Sequence, residues 1–67
     1  MLKVGDLIRD FNDGDIGLVI SDIRSYGTVE GEDGQYVLVK WNSMKTTQRL
    51  ILSAVKKGWI EVVNESR

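Results

Sequence analysis

The segment Asn12–Ile23, with the sequence NDGDIGLVISDI, is the part of the chain whose residue types and spacing come nearest to a ligand site. Closely spaced carboxylates are suited to metal ions, and closely spaced glycines to phosphates. An EF-hand calcium loop starting at Asp10 would need Asp or Asn, Gly and Glu at its fifth, sixth and twelfth positions. Those positions hold Gly14, Asp15 and Ser21, so the calcium pattern is not met.

A phosphate site is disfavoured in the same segment. The Gly14-x-x-Gly17 pair lacks the lysine and the helix start of a P-loop, and Asp13 and Asp15 would repel a phosphate. Turns favour Asn, Asp and Gly for conformational reasons alone. We therefore predict a hairpin turn in which Gly14 has a positive φ, Gly17 allows a close backbone approach or a kink, and the two aspartates are solvated. We predict neither a metal nor a cofactor site.

The composition also argues against catalysis. The chain has 67 residues, no histidine and no cysteine. A Ser-His or Cys-His nucleophile and a thiolate metal site therefore cannot be built, and we predict no catalytic residues and no enzyme activity. The missing cysteines suit a reducing cytoplasm. No apolar run is long enough to cross a bilayer, and the charges near the start predict no secretory signal and a mature chain beginning at Met1.

Apolar residues recur mainly with the period of two that is typical of strands. The predicted strands are Leu7–Arg9, Ile16–Arg24, Gln35–Trp41, Thr46–Leu52 and Trp59–Val63. A short helical or 3₁₀ turn is predicted at 53–57, because Ser53 can cap a helix and Gly58 can close one. These elements predict one all-β domain over residues 1–67, a small barrel of about five antiparallel strands.

Within the second predicted strand, the apolar residues switch from even-numbered to odd-numbered positions. Ile16, Leu18 and Ile20 share one parity, whereas Ile23 has the other. A one-residue bulge near 21–22 would bring all four to the same face and bend the strand as a barrel wall requires.

Two resemblances accompany this pattern. Val4-Gly-Asp-Leu-Ile-Arg9 followed by Gly14-x-x-Gly17-x-Val19 resembles the KOW motif over the first third of the chain. That motif implies an SH3-like barrel and, in its RNA-binding members, basic residues at a hairpin where this chain has aspartates. Over most of the chain, these segments with Val37-Leu-Val-Lys-Trp41 and Gly58-Trp-Ile-Glu-Val-Val63 resemble small SH3-like barrel proteins of tailed bacteriophages, notably those of marine cyanobacteria. This resemblance implies a fold and a viral origin but no activity.

The charges are unevenly distributed although the formal net charge is only −1. Residues 6–33 carry eight acids and two bases, and residues 40–57 carry five bases and no acid. The five bases are Lys40, Lys45, Arg49, Lys56 and Lys57. They could contact a nucleic-acid backbone, with Tyr26 or Tyr36 stacking on a base, but a solvated charged face is the favoured interpretation.

Both faces of two predicted strands are partly apolar. We assign Val37, Val39 and Trp41 to the interior. On the last strand Ile60 and Val62 alternate with Trp59, Glu61 and Val63. If Tyr36, Leu38, Trp59 and Val63 come together outside, they would form a partner site or a homodimer interface. The alternative is that Trp59 and Val63 complete the core while Tyr36 covers a loop.

The sequence therefore predicts a non-enzymatic SH3-like barrel of phage origin. It would act in the host cytoplasm as a small adaptor that binds a host or phage protein, or a second copy of itself, without a cofactor. The alternative is a KOW-like module that contacts nucleic acid or a nucleoprotein complex through the five bases.

Overall fold

The computed structural model describes residues 2–27 and 31–64 of the chain. Most of this part is β-sheet, interrupted by one 3₁₀ turn and one short helix. The elements in chain order are β1 (Leu7–Asp10), β2 (Ile16–Val19), β3 (Arg24–Ser25), the 3₁₀ turn (Glu32–Gly34), β4 (Gln35–Trp41), β5 (Thr47–Ile51), α1 (Leu52–Lys56) and β6 (Ile60–Asn64). The predicted small all-β fold with a short helix is confirmed.

All strand pairs are antiparallel and belong to one sheet. The strand order is β3-β4-β2-β1-β6, and β5 pairs with β4 as well. β2 and β3 pair with different parts of one edge of β4, and β5 pairs with the opposite edge. The last strand returns to pair with the first, but no pairing joins β5 to β6 among the described residues, so the sheet is not closed.

The predicted second strand is split into β2 and β3. Val19 pairs with Val39 and Arg24 with Tyr36, so four residues, 20–23, lie opposite only two residues of β4. The Oγ atom of Ser21 accepts a hydrogen bond of 2.8 Å from the backbone N–H of Leu38 and so takes the place of a backbone partner.

This insertion of two residues preserves the alternation of side chains, because the strand period is two. Gly17, Val19 and Ser21 are buried, and Ile23 packs against the core. The predicted one-residue bulge is therefore wrong, and so is the placement of Ile16, Leu18 and Ile20 on the same face as Ile23. These three side chains point away from the core, and each is 37–41% exposed.

The core lies on the concave side of the sheet. Its buried hydrophobic residues are Leu2, Ile8, Val19, Val37, Val39, Trp41 and Ile60. The inward assignment of the three β4 residues is confirmed. Gly17 pairs directly with Trp41, and a Cβ atom at this glycine would lie 2.7 Å from the indole ring and 2.6 Å from Val39 Cγ1. The predicted close approach at Gly17 is confirmed.

The short helix α1 has capping hydrogen bonds at its C-terminal end but no side-chain cap at its N-terminal end. Its N-cap residue is Ile51, which makes no side-chain cap bond, so the predicted cap at Ser53 is wrong. At the other end the N–H of Gly58 donates to Val55 O and the N–H of Trp59 donates to Ala54 O, which is a Schellman motif. Gly58 has the left-handed φ of 84° that this motif requires, as predicted.

Candidate functional site

Carboxylates in and next to the segment Asn12–Ile23 stabilise the β1–β2 turn by accepting backbone hydrogen bonds. Gly14 has a φ of 75°, as predicted. Asp10 accepts a hydrogen bond from the backbone N–H of Asn12, and Asp13 accepts one from that of Asp15. No group of three or more acidic, histidine or cysteine side chains suited to a metal ion occurs in residues 2–27 and 31–64. Within the same ranges no helix has the length and apolarity to span a membrane.

Asp15 also joins this turn to the β4–β5 loop, which corrects the prediction that it is simply solvated. Its Oδ2 atom accepts hydrogen bonds from the hydroxyl and the backbone N–H of Ser43. Beside this contact the N–H of Asn42 donates to Ile16 O at 2.8 Å. The hydroxyl of Ser43 is the main cause that lowers the pKa of the Asp15 carboxyl below its usual value of 3.8.

Replacing Ser43 with alanine is expected to destabilise the chain only while Asp15 is ionised. A lowered pKa in the folded state stabilises the fold above the unfolded pKa, and this contribution is lost as the pH falls through the folded pKa. The difference in unfolding free energy between the wild type and Ser43→Ala should therefore be constant near neutral pH and shrink below about pH 4. Urea denaturation over a pH series measures it. Ser53→Ala, a matched change in α1, should show no such pH dependence, and a Ser43→Ala difference that grows in acid would contradict the account.

The outer face of β1, β2 and β4 carries a continuous row of apolar side chains. Leu7 pairs with Leu18 across β1 and β2, and the N–H of Ile20 bonds to the carbonyl of Leu38. Cross-strand neighbours on one face lie about 5 Å apart at Cβ, so these side chains touch or nearly touch. We call this surface the outer strip: Leu7, Ile16, Leu18, Ile20 and Leu38.

The outer strip borders an open groove of about 480 Å³. Its lining consists of Leu7, Ile16, Gly17, Leu18, Lys40, Trp41 and Asn42. The ammonium group of Lys40 does not project into solvent as a free cation, because it donates hydrogen bonds to the carbonyls of Trp41 and Met44. The groove therefore combines apolar side chains with polar groups of Lys40 and Asn42, and the lysine charge is held against the backbone.

The four residues predicted to form a partner site fall into two groups. Tyr36 and Leu38 are half-buried on the outer face of β4, where Leu38 belongs to the outer strip and Tyr36 lies next to it. Trp59, which is 60% exposed, and Val63, which is 48% exposed, belong to the β6 end of the chain. β1 and β2 separate β6 from β4 in the sheet. The structure therefore brings the first two together on one surface. Trp59 precedes β6, and Val63 lies at the register shift of β6 opposite Leu7 and Ile8, beside the β1 end of the outer strip.

The five predicted nucleic-acid-binding bases are distributed over different elements. Lys40 is on β4, Lys45 in the β4–β5 loop, Arg49 on β5, and Lys56 and Lys57 at the end of α1. Lys40 bonds to backbone carbonyls, as described above. The ammonium group of Lys57 lies 4.9 Å from the centroid of the Trp59 ring. The set therefore does not form one continuous basic stripe.

Arg49 belongs to a separate cluster with two tyrosines. The rings of Tyr26 and Tyr36 lie 4.9 Å apart between centroids and are tilted by 39°. The guanidinium carbon of Arg49 lies 5.0 Å from the centroid of Tyr36 and 5.8 Å from that of Tyr26. Arg24 is directly opposite Tyr36 in the β3–β4 pairing. We call Arg24, Tyr26, Tyr36 and Arg49 the arginine–tyrosine cluster.

Of the five residues of the outer strip, the sequence singled out only Leu38 as a partner-site residue. The alternation Ile16, Leu18, Ile20 was a visible signal, but it indicated a core face as readily as an outer one. No spacing rule links Tyr26 to Arg49, because their contact depends on the sheet. Comparisons with protein-family models, with curated proteins and with solved structures gave no significant match to this chain.

Proposed function

We propose that the chain is a non-enzymatic protein-binding module that docks a partner protein on the outer strip. The observation that carries the proposal is the exposure of three alternate apolar side chains, Ile16, Leu18 and Ile20, on one face of the sheet at the edge of an open groove. A continuous exposed apolar surface is unfavourable in water and usually marks an interaction site. Covering it removes apolar area worth about 25 cal/mol per Å² from solvent.

The distribution of charge supports a protein partner over nucleic acid. Nucleic-acid binding depends on several cations that track a phosphate backbone. In this chain, the predicted bases lie on four different parts of the fold, and Lys40 and Lys57 are engaged with a backbone and a ring respectively. The leucine and isoleucine side chains of the outer strip form neither hydrogen bonds nor ion pairs with phosphates.

We also propose that the fold is an SH3-like barrel. The meander from β1 to β5, the short helix and the return of β6 to β1 support this assignment. The resemblance to small phage proteins supports a viral protein, and the absence of cysteine suits the cytoplasm of the infected cell. A fold of this kind serves many functions, so the proposed function rests on the outer strip and not on the fold.

Affinity capture from host lysate, with and without nuclease treatment, tests the choice between a protein and a nucleic-acid partner. We expect the same discrete protein in both halves. Its dissociation constant should change little between about 50 and 200 mM salt, whereas a site with 6–10 phosphate contacts would lose roughly 10³–10⁵ in affinity. A partner recovered only from the untreated half, with a steep salt dependence, would overturn the proposal. Sedimentation of the purified chain shows in parallel whether the partner is a second copy.

A further inference from the structure

The arginine–tyrosine cluster lies at one end of the outer strip. Arg49 is directly opposite Leu38, which belongs to the strip, and Arg24 is directly opposite Tyr36, two residues earlier on the same face of β4. The pairing thus places Arg24 and Arg49 on strands that flank Tyr36 on either side. A segment bound along the outer strip would reach both arginines.

The tyrosine rings hold the guanidinium group of Arg49 in position. Its guanidinium carbon lies within 6 Å of both ring centroids, in the range of cation–π contacts. A guanidinium group stacked on a ring keeps its N–H donors pointing outward in its own plane, where they can form two parallel hydrogen bonds to a carboxylate. Because the side chain is already restrained, less rotamer entropy is lost when a ligand binds.

Neither arginine is neutralised within the described chain. No carboxylate that the structure describes forms an ion pair with Arg24 or Arg49, although Asp22 and Asp33 are near them in the sequence. Arg9, by contrast, pairs with Glu61. Two neighbouring cations without a counter-charge repel each other, and an incoming anion relieves that repulsion.

A single carboxylate fits this cluster better than a nucleic-acid strand. The tyrosine rings pack against each other and against Arg49, so they offer less free surface for stacked bases. The other predicted bases do not extend the cluster into a phosphate track. We propose that the arginine–tyrosine cluster binds the carboxylate of an Asp or Glu side chain next to the apolar residues of the partner segment. This inference rests on the proposed function and adds the partner's chemistry to it.

A peptide titration followed by NMR tests the inference. The probes are acetyl-Leu-Glu-Leu-Glu-Leu-amide and its Gln analogue, which lacks the carboxylates. The Glu peptide should bind at least about fivefold more tightly and shift the side-chain N–H signal of Arg49. Arg49→Gln should abolish this preference, and Arg49→Lys should reduce it, since lysine keeps the charge but not the planar pair of donors. Lys57→Gln removes an equal charge at another surface and should leave the preference unchanged.

Equal binding of the two peptides, or a preference that survives Arg49→Gln, would overturn the inference. So would stronger shifts at Arg49 from inorganic phosphate or a short thymidine oligonucleotide than from the Glu peptide. The two proposals fail separately. If the Glu preference is absent but substitutions in the outer strip still weaken partner capture, only this inference is overturned. If substitutions in the outer strip leave partner capture unchanged, the proposed function is overturned.

Discussion

Replacing Gly17 with alanine is expected to lower the free energy of unfolding by about 2 kcal/mol, within the usual range for overpacked cores. The added Cβ would lie 2.6 Å from Val39 Cγ1 and 2.7 Å from the ring of Trp41, and both side chains are buried. A chain of 67 residues has roughly 3–10 kcal/mol of stability in total. The loss should therefore lower Tm by roughly 10 °C. Urea and thermal denaturation measure both quantities.

The neighbours of Gly17 provide a stricter test of this explanation. Val39→Ala removes the methyl group nearest to the new Cβ, so Gly17→Ala should cost clearly less in that background than in the wild type. Gly14→Ala is the contrasting glycine change, because no atom lies within 4 Å of its Cβ position and only its φ of +75° opposes the substitution. Equal costs for Gly17→Ala in both backgrounds would show that crowding against Val39 is not the cause and would leave the contact with the Trp41 ring as the only source of strain in this explanation.

Replacing Leu18 and Ile20 together with serine is expected to weaken partner binding by about 100-fold or more. Anchor residues at the centre of an interface cost about 2 kcal/mol each when truncated, and 1.4 kcal/mol corresponds to a factor of ten. Both side chains are exposed in the free chain, so the double variant should remain folded. Calorimetric titration with the captured partner measures the effect, and circular dichroism verifies the fold.

The matched control removes apolar surface from the other group of exposed residues. Trp59→Ser removes a large apolar side chain that is 60% exposed and should leave the dissociation constant within about threefold, because non-interface positions contribute little. If the control abolishes binding and the outer-strip variant does not, the partner binds at the β6 end and the assignment of the surface is wrong.

Local patterns were sufficient to predict much of the fold. In β4 the residues Val37, Val39 and Trp41 form a wholly apolar face, whereas the opposite face also carries the charged Lys40, so both the strand and its inward face could be predicted from the sequence. The end of α1 was predictable for a similar reason, because a glycine following two lysines is typical of a left-handed helix closure. In both cases the determining contacts lie within a few residues.

The orientation of β2 could not be predicted in this way. In β2 and the two residues after it, the inward residues include Gly17 and Ser21, which carry little apolar surface, whereas the outward residues are Ile16, Leu18 and Ile20. The hydrophobic pattern therefore points to the wrong face. The reversal becomes understandable only with the tertiary contacts: the ring of Trp41 fills the space above the glycine, and the serine hydroxyl bonds to a backbone N–H of β4.

The features that define the candidate surface depend on contacts between distant residues. Asp15 and Ser43 are 28 positions apart, and the sheet brings them together at one loop cluster. Tyr26 follows β3, and Arg49 lies on β5. Both strands pair with β4, so the two residues come into contact only in the assembled sheet. Such pairs have no signature in spacing, so the sequence could indicate their residue types but not their association.

The most direct test of the proposed function is a cross-saturation NMR measurement on the complex with the captured partner. The chain is deuterated except at exchangeable protons and selected methyl groups, and the partner protons are saturated. We expect the strongest saturation transfer at the methyl groups of Ile16, Leu18, Ile20 and Leu38, and little at the indole N–H of Trp59. Transfer concentrated at the indole N–H of Trp59, with the outer strip unaffected, would contradict the proposed function.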